Sequence, residues 1–139
     1  MDLKESTASF KKENADKILK AIQSLHGKET VEDGQIVGTK KDGSNKWSNS
    51  HFSWVDGEFY KVTSIEKMFT GWRWKIEDQG KDYLIMGFLG EKSGDEEILF
   101  NVIAPYMNEG YIIMQGEDGI VWKWKFSNGR FREVGSRTM

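Results

Sequence analysis

The chain has 139 residues, one proline, no cysteine and a formal net charge of −2. A chain of this length folds as a single domain over residues 1–139 without cross-links. The missing cysteines exclude disulfides, thiolate metal sites and cysteine nucleophiles. The N-terminus has no apolar signal segment, and no stretch is apolar enough to cross a bilayer, so we expect a soluble, cytoplasmic protein without membrane contacts.

Charge is segregated along the chain. Residues 76–118 carry two lysines against ten acidic residues, a net charge of −8, whereas residues 119–139 carry five cations against one carboxylate, a net charge of +4. Such segregation predicts surface patches of opposite sign, which act on the choice of partner more than on the fold.

Residues 9–26 are predicted to form the only helix. Apolar side chains recur there at spacings of three and four, which places them on a single stripe. Ser9 is a suitable N-cap and Gly27 a suitable stop. The stripe comprises Phe10, Ala15, Ile18, Leu19, Ile22 and Leu25.

A β-rich pattern follows, with short runs of branched and aromatic residues separated by glycine and polar residues. "DG" at Asp56–Gly57 and "NG" at Asn128–Gly129 predict tight hairpins. The predicted strands lie near residues 35–39, 51–55, 58–65, 72–77, 82–89, 96–104, 110–116, 120–126 and 130–134.

Short connections predict an antiparallel meander over residues 35–134, which we expect to close into a barrel of about eight strands beside the N-terminal helix. The alternatives are an α+β fold, with a bent antiparallel sheet wrapped around the helix as in cystatin-like or nuclear-transport-factor-like proteins, and a two-sheet sandwich. In outline, one helix with a meander resembles small lipocalin-like barrels. The expected Gly-x-Trp is replaced by "GSNKW" at Gly43–Trp47, however, so the lipocalin fingerprint is missing.

Two Trp-x-Trp motifs, "GWRWKIE" and "IVWKWKF", predict amphipathic strands. Alternate residues of a strand face opposite sides, so the tryptophans point inward while the interleaved cations face solvent. If the barrel holds a cavity, its ring-lined interior would bind a small apolar ligand. The predicted ligand-binding residues are Trp54, Trp72, Trp74, Met86, Trp122 and Trp124.

Charged residues are the second group of candidates. If the strands of the two Trp-x-Trp motifs are neighbours, the surface formed by their cations would also include Lys40, Lys41, Lys46, Arg130 and Arg132. The acidic turns around residues 91–97 and 116–119 are predicted to share one rim of the barrel. Because the tryptophans point away from the cations and the net charge is slightly acidic, nucleic acid is disfavoured as a partner. The predicted partner-binding residues are Arg73, Lys75, Lys123, Lys125, Asp95, Glu96, Glu117 and Asp118.

No catalytic constellation is evident. His26 and His51 are the only histidines, and no nucleophile elbow, phosphate-binding loop or calcium loop occurs. We therefore expect neither a cofactor nor a metal, and a non-enzymatic interaction protein, inhibitor-like or immunity-like, that acts through charged faces and rim loops. The alternative is a lipocalin-like carrier of a small apolar ligand. The hairpin predicted over residues 82–104 is apolar on both faces, so a monomer covered by the helix and a homodimer both remain open.

Overall fold

The computed structural model describes residues 1–26, 31–32, 35–36, 55, 57–90 and 94–138, and of residues 31–32, 35–36 and 136–138 it describes the backbone alone. In chain order the elements are β1 (Asp2–Ser6), β2 (Ser9–Lys11), α1 (Ala15–Gln23), β3 (Val31–Glu32), β4 (Gln35–Ile36), α2 (Ile65–Gly71), β5 (Trp74–Asp78), β6 (Asp82–Phe88), α3 (Glu96–Ile103), β7 (Gly110–Gln115), β8 (Ile120–Ser127) and β9 (Arg130–Thr138). Short 3₁₀ turns occupy Lys12–Asn14, Phe59–Lys61 and Ala104–Tyr106.

Two antiparallel sheets dominate the described part of the chain. The four-stranded sheet has the order β1-β7-β8-β9 and the three-stranded sheet the order β2-β6-β5, while β3 and β4 form a separate two-stranded ribbon. The chain passes from the first sheet to the second at Thr7 and Ala8, where the Thr7 N–H donates to the Tyr111 carbonyl and the Ala8 carbonyl accepts from the Ile85 N–H. A Cβ at Gly110 would lie 2.6 Å from the Thr7 carbonyl oxygen, so this crossing requires glycine.

The predicted closed barrel is not found among the described strands, and three helices occur where one was expected. The physical reason is that α2 and α3 interrupt the predicted meander, so that its strands separate into two sheets. Among the described residues the strands form two main sheets with three helices, so the α+β and sandwich alternatives each agree in part.

Two segments predicted as strands are helical. Within residues 58–65 the chain makes a 3₁₀ turn, after which the Ser64 hydroxyl accepts from the Lys67 N–H and caps α2. The segment predicted at residues 96–104 forms α3 over Glu96–Ile103, and its buried positions Glu96, Leu99, Phe100 and Ile103 follow helical spacing. A short apolar run with branched residues fits both periods, which explains the error. Of the hairpin turn predicted at Asp56–Gly57 only Gly57 is among the described residues, and the 3₁₀ turn at Phe59–Lys61 follows it.

The N-terminal helix is shorter than predicted. Residues 9–11 are strand β2, and α1 begins only at Ala15, with Ile18 and Ile22 buried. Strand β1 was not predicted at all. Of the predicted strand 51–55 only Val55 is described, and of 35–39 only residues 35–36, so Trp54, His51, Lys40, Lys41 and Lys46 lie outside the described residues.

The remaining strands are confirmed with shifted ends. β5 and β6 form one antiparallel pair, and β7, β8 and β9 form a meander. Asn128 and Gly129 adopt positive φ angles of 54° and 72°, as a tight hairpin turn requires.

An aromatic cluster occupies the core between the two sheets. The Phe100 ring of α3 lies 5.1 Å from the ring of Trp74 and 5.4 Å from that of Trp124. Trp74 and Trp124, one from each sheet, meet edge to face at 6.2 Å. Both tryptophans are buried, which confirms the inward orientation that the strand pattern predicts for them.

Candidate functional site

Four cations gather on the outer face of the four-stranded sheet: Lys123, Lys125, Arg130 and Arg132. Lys125 is paired with Arg132 across β8 and β9, and the neighbouring pairs join Lys123 to Val134 and Ser127 to Arg130. Lys125, Arg130 and Arg132 are exposed and Lys123 is half-buried. We call these four residues the basic face.

The hairpin turn and the core together determine this arrangement. A two-residue turn at Asn128–Gly129 pairs Ser127 with Arg130 and, two residues further along each strand, Lys125 with Arg132. The intervening Trp124 and Phe126 are 4 % and 1 % exposed. A register slip of one residue would turn the cations into the core, so burial of the rings holds the cations outward.

The basic face has an acidic border on the side of β1. The Tyr111 hydroxyl donates to the Glu5 carboxylate, and this hydrogen bond raises the pKa of the phenol. The Lys123 ammonium lies 4.8 Å from the centre of the Tyr111 ring, within the range of a cation–π contact. Tyr111 therefore separates the carboxylate side of the sheet from its cationic side.

Two adjoining depressions flank the β8–β9 turn. One, of about 620 Å³, is lined by Ser127, Asn128, Arg130, Phe131 and Arg132. The other, of about 550 Å³, lies over the outer face, and its lining includes Tyr111, Lys125 and Arg132. Both volumes fall within the roughly 300–1,000 Å³ of ligand clefts. Arg132 lines both depressions, so the basic face is concave at the end of the hairpin.

Arg73 does not contribute to a surface patch, and its predicted solvent-facing orientation is wrong. It adopts a left-handed φ of 76° after α2, and its guanidinium forms an ion pair with Glu96 at the start of α3. Their side chains are only 12 % and 4 % exposed. Burial raises the pKa of Glu96, although Arg73 and a 2.8 Å hydrogen bond from the Gly94 N–H act in the opposite direction. The pair links two elements inside the protein.

The two Trp-x-Trp strands are not neighbours, so the predicted basic patch divides. β5 pairs only with β6 in the described sheet, and its Lys75 is exposed on the three-stranded sheet, apart from Lys123 and Lys125. Glu117 and Asp118 are exposed in the β7–β8 turn, whereas Asp95 precedes α3. The Asp118 carboxylate accepts from the Ile120 N–H at 3.1 Å, a contact typical of turns.

The predicted ligand-binding residues do not line one common space. Trp74, Trp122 and Trp124 belong to the central cluster, whereas Trp72 ends α2 and packs edge to face on Phe59 at 5.4 Å. Met86 is 36 % exposed on β6. Trp74 is fully buried among other rings, so the described part of the predicted interior is filled by the protein itself.

Sequence reasoning underrated Arg130 and Arg132, which it placed only at the margin of a nucleic-acid surface. The "NG" turn contained the missing signal. In a hairpin centred on residues 128 and 129, positions 125 and 132 must face each other, so two cations share one site on the sheet.

Other kinds of site find no support in the described residues. Within them, no group of three or more histidine, aspartate or glutamate side chains is arranged to hold a metal ion. No helix in the described part of the chain is long and apolar enough to span a membrane. Comparisons with models of protein families, with curated protein sequences and with solved structures found no match to this chain.

Proposed function

We propose that this protein is a non-enzymatic interaction protein that binds an acidic region of a protein partner through the basic face. The observation that carries the proposal is the direct pairing of Lys125 with Arg132 on an exposed sheet surface. Arg130 and Lys123 increase the positive charge on either side of this pair.

Like charges placed directly opposite each other in an antiparallel pair destabilise a sheet by about 0.2–1 kcal/mol. Neither cation packs into the core, since both side chains are exposed on the outer face of the sheet. A carboxylate from a partner would remove the repulsion and form charge-assisted hydrogen bonds with the guanidinium of Arg132. Binding therefore accounts for a feature that is unfavourable in the isolated protein.

An acidic protein fits this surface better than single-stranded nucleic acid does. Binders of single strands combine cations with exposed rings on which bases stack. Here Trp122 and Trp124 lie on the opposite face of the sheet, and Tyr111 is half-buried and hydrogen-bonded to Glu5. The net charge of −2 also differs from the basic footprint of dedicated nucleic-acid binders.

Arg132→Glu tests the proposal because stability and binding should change in opposite directions. The substitution replaces repulsion with attraction between the Lys125 ammonium and the introduced carboxylate, so we expect the free energy of unfolding to rise by about 0.5–1 kcal/mol. The probe is a fluorescein-labelled oligoglutamate of about ten residues, the length of a long strand. Its affinity, measured by fluorescence anisotropy at low salt, should fall by roughly five- to thirtyfold, or about 1–2 kcal/mol.

Lys17→Glu is the matched control, since Lys17 is exposed on α1 and the change in net charge is the same. It should leave the affinity for oligoglutamate nearly unchanged. Equal loss of affinity in both variants would show that net charge alone drives binding and would refute the basic face as a site. Tighter binding of a thymidine oligonucleotide of equal charge, lost in Arg132→Glu, would identify the surface as a nucleic-acid site instead.

A further inference from the structure

β9 forms one edge of the four-stranded sheet in the described part of the chain, and it is the longest strand there, at nine residues. The tight turn determines which of its backbone groups bond to β8. In a two-residue hairpin the residues that flank the turn exchange hydrogen bonds, and every second pair beyond them does the same. By this alternation the bonded residues of β9 are Arg130, Arg132 and Val134, up to the register shift that follows Val134. The N–H and C=O groups of Phe131 and Glu133 therefore point away from β8, toward the side of β9 on which the described residues place no further strand.

The larger depression lies at the turn end of β9, where Ser127 and Asn128 also line it. Its lining includes Arg130, Phe131 and Arg132, three consecutive residues of one strand. Successive side chains of a strand face opposite sides of the sheet. A cavity that touches all three cannot lie on one face alone, so it extends around the turn end of β9 from one face to the other.

From this geometry we infer that an extended acidic segment of the partner adds to the sheet as a strand beside β9, an interpretation that rests on the function proposed above. Its backbone would bond to the outward groups of Phe131 and Glu133, and its carboxylates would meet Arg130 and Arg132. Addition of a strand to a sheet edge is a general mode of peptide recognition, in which the backbone supplies affinity and side chains supply selectivity.

The cations of β9 favour an acidic strand as the segment that adds to this edge. Exposed cations on an edge strand protect it against pairing with its own kind. A second copy of β9 would bring Arg130 and Arg132 against the same two residues, whereas an acidic strand is attracted to them. Nucleic acid has no alternating amide donors and carbonyl acceptors with which to continue the ladder.

Two peptides of equal length and charge separate strand addition from general attraction. One alternates threonine with glutamate, and the other alternates proline with glutamate. Proline lacks the N–H that a ladder needs and is excluded from paired strand positions. We expect the threonine peptide to bind about tenfold more tightly or better, by fluorescence anisotropy, which corresponds to about 1.4 kcal/mol.

Amide hydrogen exchange of the unmodified protein, followed by NMR, gives an independent readout. A saturating amount of the threonine peptide should slow exchange at Phe131 and Glu133 by about tenfold or more, since these amides gain hydrogen bonds on binding. The amides of Arg132 and Val134, already bonded to β8, serve as internal controls and should change much less. The proline peptide should leave all four amides nearly unchanged.

The results of these experiments distinguish strand addition beside β9 from binding to the basic face alone. If both peptides bind equally, Arg132→Glu weakens both, and exchange at Phe131 and Glu133 stays the same, strand addition is refuted while the basic face stands. If Arg132→Glu has no effect on either peptide, the proposed function fails as well.

Discussion

Alanine substitutions along α3 would show whether residues 96–103 are a helix, which is the largest departure from the fold expected from the sequence. In a strand, Ile98 and Phe100 would share a face, and Leu99 would lie on the other. In the helix, Leu99 and Phe100 are fully buried, whereas Ile98 is 37 % exposed. The two structures therefore predict different orders of destabilisation.

The magnitudes follow from the packing. The Phe100 ring lies 5.1–5.5 Å from four other rings, those of Trp74, Trp124, Phe126 and Phe131. Phe→Ala in a core costs about 3–5 kcal/mol, and each aromatic pair adds about 0.5–1.5 kcal/mol beyond burial. Phe100→Ala should therefore cost about 5 kcal/mol, Leu99→Ala about 2–5 kcal/mol and Ile98→Ala about 1 kcal/mol or less.

The assay is urea unfolding followed by tryptophan fluorescence and circular dichroism. Phe100→Leu, which keeps most of the buried volume but loses the ring contacts, should retain enough stability for measurement if Phe100→Ala is unfolded. A cost for Ile98→Ala equal to that for Leu99→Ala would refute the helical assignment, because only a structure without this helical face makes the two positions equivalent.

Three further substitutions test local features. Because burial raises the pKa of Glu96, the stability that this group contributes is complete below the ordinary value of 4.5 and declines as the pH rises through the raised value. Across that interval the free energy of unfolding in urea should depend less on pH for Glu96→Gln than for the wild type, and an equal dependence in both proteins would contradict this prediction. Asn128→Ala should lower the free energy of unfolding by about 1 kcal/mol, since Asn128 has a φ of 54°, whereas Asn128→Gly should be nearly neutral in the same assay. Gly90→Ala would place a Cβ 2.5 Å from the Arg73 guanidinium and 2.8 Å from the Phe88 ring. The substitution should lower the free energy of unfolding by about 1–3 kcal/mol, and a melting temperature equal to that of the wild type would refute this tight contact.

Local patterns were sufficient for the consecutive hairpins. β8 and the start of β9 alternate apolar residues with cations, and turns containing "DG" and "NG" join β7 to β8 and β8 to β9. In such hairpins the pairing partner is near in sequence, so the turn and the alternation determine register together. The burial of Trp124 and the exposure of Lys125 followed from this pattern alone.

Such local patterns do not predict contacts between segments that are distant in the sequence. β1 carries the charged, half-exposed sequence "DLKES", which shows little strand signal, and it pairs with β7 more than a hundred residues later. α3 could be interpreted as a strand because its apolar run fits both periods, and only the rings that surround Phe100 distinguish the two. Propensity over a few residues is weak compared with burial against a distant element.

The same distinction between local patterns and long-range contacts applies to the candidate site. Local sequence is enough to place cations between buried rings along β8 and, through the "NG" turn, to set residues 125 and 132 opposite each other. Packing between distant segments turns Arg73 inward to Glu96, leaves Lys125 and Arg132 in solvent, and puts β9 at an edge of the described sheet. The physical reason is that a cation's surroundings depend on which distant segments pack beside it, and alternation along one strand specifies no such partner.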